Sequence, residues 1–411
     1  MIHTVNVHFC TEYVREYADH PCDNEKLECI NNNAKFKHLK DTLNASKDKL
    51  NHIPNHKKKS LLTNLDRLSS LKSKIKGEGI TNAWIKMFEI GTHFKFNYDA
   101  TFCNAEFPGA FICAINHLHS NKLHNTKKTQ KKQKKIQELN WAASSYVSGP
   151  LNDTLGVYQL NRNRWIMNNN MDGDTTNIHN IKKINELVFK TLGRRPTLYT
   201  ADGSIDIHEN FNQQEMLNAK LILGEIVCAF ETLTKGGDCV IKVFTLFESF
   251  TISLITLFAA SFEKVSIVKP TASRDANSEV YLVGINFISN HHVNQLLENA
   301  LVQTDFSNSE IKPIIPLTEE LMDEFFFIVK SITDRQTRVI EQVYDYHLNN
   351  TMPDVAEKQF AANLWLSMHK IYPLNFHIIQ KPKAEQDKLN ENKTNKTPNN
   401  ANDTSQQCSS V

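Results

Sequence analysis

The chain has 411 residues, a length suited to one large domain with extensions or to two domains. Hydrophobic residues make up 40% and charged residues 22%, which excludes a chain disordered throughout. Lys and Arg total 47 against 45 Asp and Glu, a net charge of +2, which excludes an all-over basic coat but leaves room for a local basic groove.

Taken in chain order, the N-terminal MIHTVNVHFC lacks the basic flank and apolar stretch of a signal peptide. Residues 1–78 read as a helical extension, because Leu61, Leu65, Leu68, Leu71 and Ile75 recur at helical spacing. From 79 to 290 strands and helices alternate. ATFCNAE (100–106) is strand-like, and PGAFICAINHLH opens a helix with Pro108 near its start. WAASSY, TLYTADG, DCVIKVF and KVSIVKP are further strand-like runs, with helical segments at 211–234 and 248–262. This alternation predicts an α/β fold, a mostly parallel sheet covered by helices on both faces. KVSIVKP and EVYLVGINF are separated by about nine residues, too few for a parallel crossover, so the last strand is expected to be antiparallel.

The apolar stretch between Glu248 and Glu263 falls short of the ~20 residues that span a bilayer, so a buried helix and no membrane are expected. Eight scattered Cys without a CxxC pair predict neither a zinc site nor a disulfide framework, and suit an intracellular chain. The basic run Lys127, Lys128, Lys131, Lys132, Lys134 and Lys135 reads as an exposed insertion, either a solvated loop or an RNA contact. Residues 291–380 read as a helical C-terminal extension, with Leu321, Phe325, Ile328 and Ile332 on one stripe and Val339, Val343 and Tyr346 on the next. Residues 381–411 are Lys-, Asn-, Gln-, Ser- and Thr-rich and are expected to be disordered.

Four segments could carry chemistry. In NAEFPGAF an acid and a glycine stand where a strand gives way to a helix, a place where ligands meet the carboxyl edge of a sheet. In TADGSID, Asp202 follows an apolar strand and should emerge at the same edge, unless it only closes an Asx turn. In KGGDCVIKVF, Lys242 lies within an apolar strand, costly unless paired or snorkelling. In KPTASRDANSEVYLV, Glu279 stands at the start of the last strand behind a loop carrying Arg274, Asn277 and Ser278, residue types that bind phosphate or ribose. No GxGxxG occurs, which argues against a dinucleotide dehydrogenase. His117/His119 and His291/His292 read as structural or surface histidines, and no metal is expected.

Together, TNAWIKMFE (81–89), NAEFPGAFICAINH (104–117), DGDTTNIHNI (172–181), YTADGSID (199–206), KGGDCVIKVFTLFESFT (235–251) and KPTASRDANSE (269–279) resemble the FtsJ-like (RrmJ-type) ribose 2′-O-methyltransferases, with their Rossmann-like sheet. The likeness is strongest to the Adrift-type cap methyltransferases, and extends to FtsJ-like methyltransferases of large cytoplasmic DNA viruses such as African swine fever virus. The resemblance implies a Lys-Asp-Lys-Glu catalytic tetrad of Lys86, Asp202, Lys242 and Glu279. It implies S-adenosyl-L-methionine bound by Glu106, Pro108, Gly109 and Phe111, with help from Asp172 and Asp174. Two positions depart from the family pattern: Ala110 replaces a glycine, and Asp275 replaces a proline in a loop expected to face RNA.

The implied activity is RNA 2′-O-methylation, most naturally of the mRNA 5′ cap, in a host cytoplasm or virion if the source is viral. The alternatives are ribosomal or transfer RNA as substrate, or a non-catalytic RNA-binding subunit. A ribose 2′-hydroxyl is a poor nucleophile until deprotonated. A lysine serves as its general base near neutral pH only if its pKa falls from about 10.4 toward 7–8. Desolvation and a neighbouring cation act in that direction, and carboxylates oppose it.

Overall fold

The apolar and β-branched runs pair as the alternation requires. In the computed structural model the described residues are 2–7, 34–66, 68, 70–129, 138–147, 149–167, 172–205, 211–308, 310–352 and 354–379. In chain order the main elements are β1 (His3–Val7), α1 (Ala34–Lys49), α2 (Asn55–Leu65), α3 (Asn82–Phe94), β2 (Thr101–Asn104), α4 (Ala110–Thr129) and β3 (Trp141–Ala143). There follow α5 (Ile178–Leu192), β4 (Leu198–Ala201), α6 (Gln214–Thr232), β5 (Asp238–Val243), α7 (Ser249–Ala259), β6 (Phe262–Lys269) and β7 (Val280–Phe287). The chain continues with α8 (His291–Gln303), α9 (Glu319–Leu348) and α10 (Val355–Met368).

The sheet order is β1-β6-β7-β5-β4-β2-β3. Strands β3, β2, β4 and β5 run parallel, and β7 lies antiparallel between β5 and β6. This is the predicted mostly parallel α/β sheet with its antiparallel last strand. Strand β5 shows the two-residue period at work: Cys239, Ile241 and Val243 join a core shared with α6 and α7, whereas Val240 joins a second core shared with α3 and α4. Helices therefore cover both faces, and even-numbered Lys242 shares the α3 side.

Three expectations need correction. The extension read as helical over 1–78 begins with a strand, β1, which pairs antiparallel with β6 and carries Val7 into the core. A five-residue strand at a sheet edge leaves almost no periodic signal in sequence. The stripe from Leu61 to Ile75 is not one helix. Helix α2 stops at Leu65, because the Asp66 carboxylate accepts from the Leu68 N–H and turns the chain, yet Leu61, Leu68, Leu71 and Ile75 are all buried. The basic run is not wholly a loop: α4 continues through Lys127 and Lys128 to Thr129, while Lys131, Lys132, Lys134 and Lys135 lie outside the described residues. The tail 381–411 also lies outside them.

Helix α5 went unassigned in the sequence, although Ile181, Ile184, Val188 and Leu192 form its buried stripe. His117 is a structural histidine: its ring packs edge-on to Trp84 and Phe88, and its Nε2 bonds the Tyr372 carbonyl at 2.7 Å. Among the described residues no helix is long and apolar enough to cross a membrane.

Candidate active site

Three neighbouring strands bring their ends to one edge. Asp202 follows the last residue of β4, and Lys242 is the penultimate residue of β5. Glu279 immediately precedes β7, and because β7 is antiparallel its start meets the carboxyl ends of β4 and β5. Lys86 arrives from α3, whose first turn is capped by the Thr81 hydroxyl accepting from the Trp84 N–H. Four residues separated by up to two hundred positions thus converge.

They form two ion pairs. Lys86 Nζ lies 2.6 Å from Glu279 Oε1, and Lys242 Nζ lies 3.3 Å from Asp202 Oδ1. Lys242 also donates to the Asp202 carbonyl at 2.7 Å. The side chains are 10–19% exposed, low enough to strengthen the pairing yet open to a substrate. Burial alone would raise the Glu279 pKa, but the cations of Lys86 and Lys242 outweigh it and hold the carboxyl below its usual range.

A supporting layer escaped the sequence reading. Tyr281, directly opposite Lys242 in the β5–β7 ladder, donates its hydroxyl to Asp202 Oδ1 at 2.9 Å. Ser273 Oγ donates to Glu279 Oε1 at 3.1 Å. Lys269, at the end of β6, donates to the carbonyls of Asn277 and Glu279 and to Asn277 Oδ1, each at 2.7 Å. Burial pushes its ammonium down to about 7, although Glu279 and Asp275 oppose the shift. The buried Glu89 carboxylate, one turn beyond Lys86, accepts from the Thr271 and Ala272 amides and fixes the start of the same loop. The one sequence signal was an acid or lysine at the margin of an apolar run.

The residues expected at a cofactor divide into two groups. Glu106, Pro108, Gly109 and Phe111 do cluster where β2 meets α4, but two of them are committed internally. Glu106 Oε1 accepts from the N–H groups of Phe111 and Ile112 at 2.7 and 3.2 Å, capping α4, and burial pushes its carboxyl well above the usual range. The Phe111 ring is buried in the α3–α4 core. Gly109 has φ +113°, and a Cβ there would lie 2.7 Å from Val157. Asp172 Oδ1 accepts from the Asp174 N–H and Asn180 Nδ2, and Asp174 Oδ1 from the Thr176 N–H. Each keeps its second oxygen without a hydrogen bond among the described residues. Those oxygens suit a ligand rich in amine and hydroxyl donors.

Their loop sits tightly between neighbours. A Cβ at Gly173 would lie 2.0 Å from the Ser145 carbonyl oxygen, and one at Gly224 of α6 would lie 2.0 Å from that of Thr175. Gly224→Ala is therefore expected to destabilise the fold by about 1–3 kcal/mol, measurable by denaturant unfolding. An unchanged midpoint would show that the loop shifts freely.

The residues considered for RNA also divide. Ser278 is buried and accepts from Gln336, and Asn277 serves Lys269 and Ser273. Arg274 is half-exposed, its Nε 3.9 Å from Asp66. Asp275, expected to face RNA, instead meets Arg335 of α9 in a bidentate pair at 2.9 and 3.0 Å. The cation that neutralises it comes from sixty positions away, which local sequence does not reveal.

Behind the tetrad lies Glu225, the acid inside the apolar run LILGEIVCAF of α6. It is fully buried, and a Cβ at Gly203 would lie 2.1 Å from Oε1. Burial pushes its pKa up to about 8; Lys242 opposes the shift and Asp202 adds to it. A raised pKa means that folding takes up a proton. This contribution to stability is complete below the unfolded value of 4.5 and is lost as pH rises through about 8. Between about pH 5 and about pH 9, wild type should thus lose more stability than Glu225→Gln, by urea denaturation. Parallel pH dependence in the two proteins would show Glu225 ionised throughout.

Comparison with known proteins agrees with this arrangement. The FtsJ-like methyltransferase family matches residues 80–287. The chain is 35% identical over 327 residues to "Probable methyltransferase EP424R" of African swine fever virus, covering 74% of this chain and 73% of that one. It is 28% identical over 364 residues to the Drosophila melanogaster "Cap-specific mRNA (nucleoside-2'-O-)-methyltransferase 2", covering 82% of this chain and 50% of that protein. The mouse protein of the same name is 30% identical over 268 residues, covering 61% of this chain and 33% of that one. With the matched segment spanning strands β2 to β7 and all four converging residues, the chain belongs to the FtsJ-like methyltransferase family.

Proposed function

We propose that this protein is an S-adenosyl-L-methionine-dependent RNA 2′-O-ribose methyltransferase acting on the mRNA 5′ cap, with Lys86, Asp202, Lys242 and Glu279 as its catalytic residues. The observation that carries the reading is the convergence of the two ion pairs, Lys86–Glu279 and Lys242–Asp202, at one sheet edge beside the β2–α4 turn. S-adenosylmethionine, when bound, supplies the electrophilic methyl group. Asp172 and Asp174 offer free carboxylate oxygens to its amine and hydroxyl donors, and the turn at Pro108–Gly109 borders the same edge.

Lys242 Nζ is placed to take the proton of the 2′-hydroxyl once its own ammonium proton has passed to solvent, because only the free amine is a base. Asp202, itself held by Tyr281, fixes that amine at two points. Glu279, ionised through its contact with Lys86, keeps the second lysine at the mouth of the site, where a cation stabilises the developing alkoxide. Two lysines and two carboxylates are held against one another at this edge, so placement does much of the catalytic work. The cap reading draws on the curated relatives named for that activity. A reducing, intracellular setting, in host cytoplasm or virion, suits the buried free thiols of Cys103, Cys113, Cys228 and Cys239.

The test is methyl transfer from labelled cofactor to matched RNAs with and without a 5′ cap. Transfer to capped RNA alone is expected. Preference for ribosomal or transfer RNA would move the substrate, and RNA binding without transfer to any of them would leave a non-catalytic subunit.

A further inference from the structure

The ten residues between β6 and β7 carry Glu279 to Lys86, and no strand ladder fixes them. Their inner side is tied within the sheet domain, by Glu89 at Thr271 and by Lys269 at Asn277 and Glu279. Their outer side is tied by a helix beyond the family's matched segment of 80–287. From α9, Arg335 grips Asp275 through two parallel bonds. The next residue, Gln336, is buried and donates Nε2 to the Ala276 carbonyl at 3.1 Å and to Ser278 Oγ at 3.2 Å. Two consecutive side chains thus hold three positions of the loop, Asp275, Ala276 and Ser278, the last of them one residue before Glu279.

The helix is itself braced. Ser46 Oγ and Lys49 Nζ of α1 bond Glu341 at 2.6 and 2.7 Å, and Ile328, Val329 and Ile340 of α9 lie in the core. We propose that α9 is a clamp on the active-site loop, with Arg335 and Gln336 as positioning residues that set Glu279 against Lys86. A guanidinium keeps its charge at every physiological pH and matches a carboxylate at two points, so the outer tie persists under conditions that titrate lysine. The family fold alone then lacks part of what orders its own catalytic glutamate.

The inference rests on the methyltransferase reading for its kinetic arm only. The full chain carrying Arg335→Ala with Gln336→Ala is compared with wild type and with Arg335→Lys, which keeps the charge but not the fork. Amide exchange across 271–279 is expected to quicken at least about tenfold while β4 and β5 stay protected. The kcat should fall between about tenfold and 10²-fold, with cofactor affinity unchanged, because a small displacement of a catalytic group costs this much. Arg335→Lys should fall between wild type and the double variant. Unchanged exchange and kcat would overturn the clamp. So would exchange quickening equally in β4 and β5 with lost cofactor affinity, the mark of general loosening. A wild-type chain that methylates no RNA would defeat the methyltransferase reading instead, and the exchange comparison alone would then decide the clamp.

Discussion

Lys242→Ala is expected to reduce methyl transfer by at least about 10²–10⁴-fold, the range for loss of a general base, while S-adenosylmethionine still binds. The side chain reaches from β5 to Asp202 on the α3 side of the sheet, whereas the loops bearing Asp172 and Asp174 lie beyond β4 and β2. Truncation leaves Asp202 with its bond from Tyr281 but without its cation. Lys242→Met, which keeps the apolar stem, therefore serves as a second variant that perturbs packing less. Calorimetry with the cofactor and a turnover assay separate the two effects. Retained turnover in both variants would remove Lys242 from the role of base.

Gly109→Val should act differently, on the fold and the cofactor together. The backbone at φ +113° suits glycine alone, and an added Cβ meets Val157 Cβ and Cγ1 at 2.7 Å. Strain and overpacking together should cost on the order of 3 kcal/mol. The displaced Phe107–Gly109 turn should weaken cofactor binding as well, by calorimetry, with Gly109→Ala an intermediate case. From sequence this glycine looked like a place for close ligand approach. The structure adds that the one-turn helix Val157–Leu160 already occupies the space a side chain would need. Unchanged stability and affinity in the valine variant would mean that both the turn and Val157 yield easily.

Much of the architecture was legible because it follows from local pattern. The strands at 101–104, 198–201 and 238–243 are short apolar runs between polar turns, and the direction of β7 followed from a connection too short for a crossover. The four candidate catalytic residues were named through the family resemblance; Asp202, Lys242 and Glu279 stand at or next to strand ends that the sheet aligns, whereas Lys86 comes from helix α3. What stayed hidden depends on distant partners. Asp275 looked exposed to RNA because Arg335 lies on another helix, and Glu106 looked free because its bonds go to backbone amides, which no residue type announces. Glu225 was overlooked as one acid in a helix, although its apolar neighbours marked it as buried.

The central claim is that the four converging residues deliver a methyl group to a ribose oxygen. Its most direct test incubates the full chain with labelled S-adenosylmethionine and capped RNA, then digests the product and identifies the labelled nucleoside. The account predicts label in a 2′-O-methyl nucleoside beside the cap, absent with Lys242→Met and with Lys86→Met. Label on a base, or the same yield from the two variants as from wild type, would contradict it.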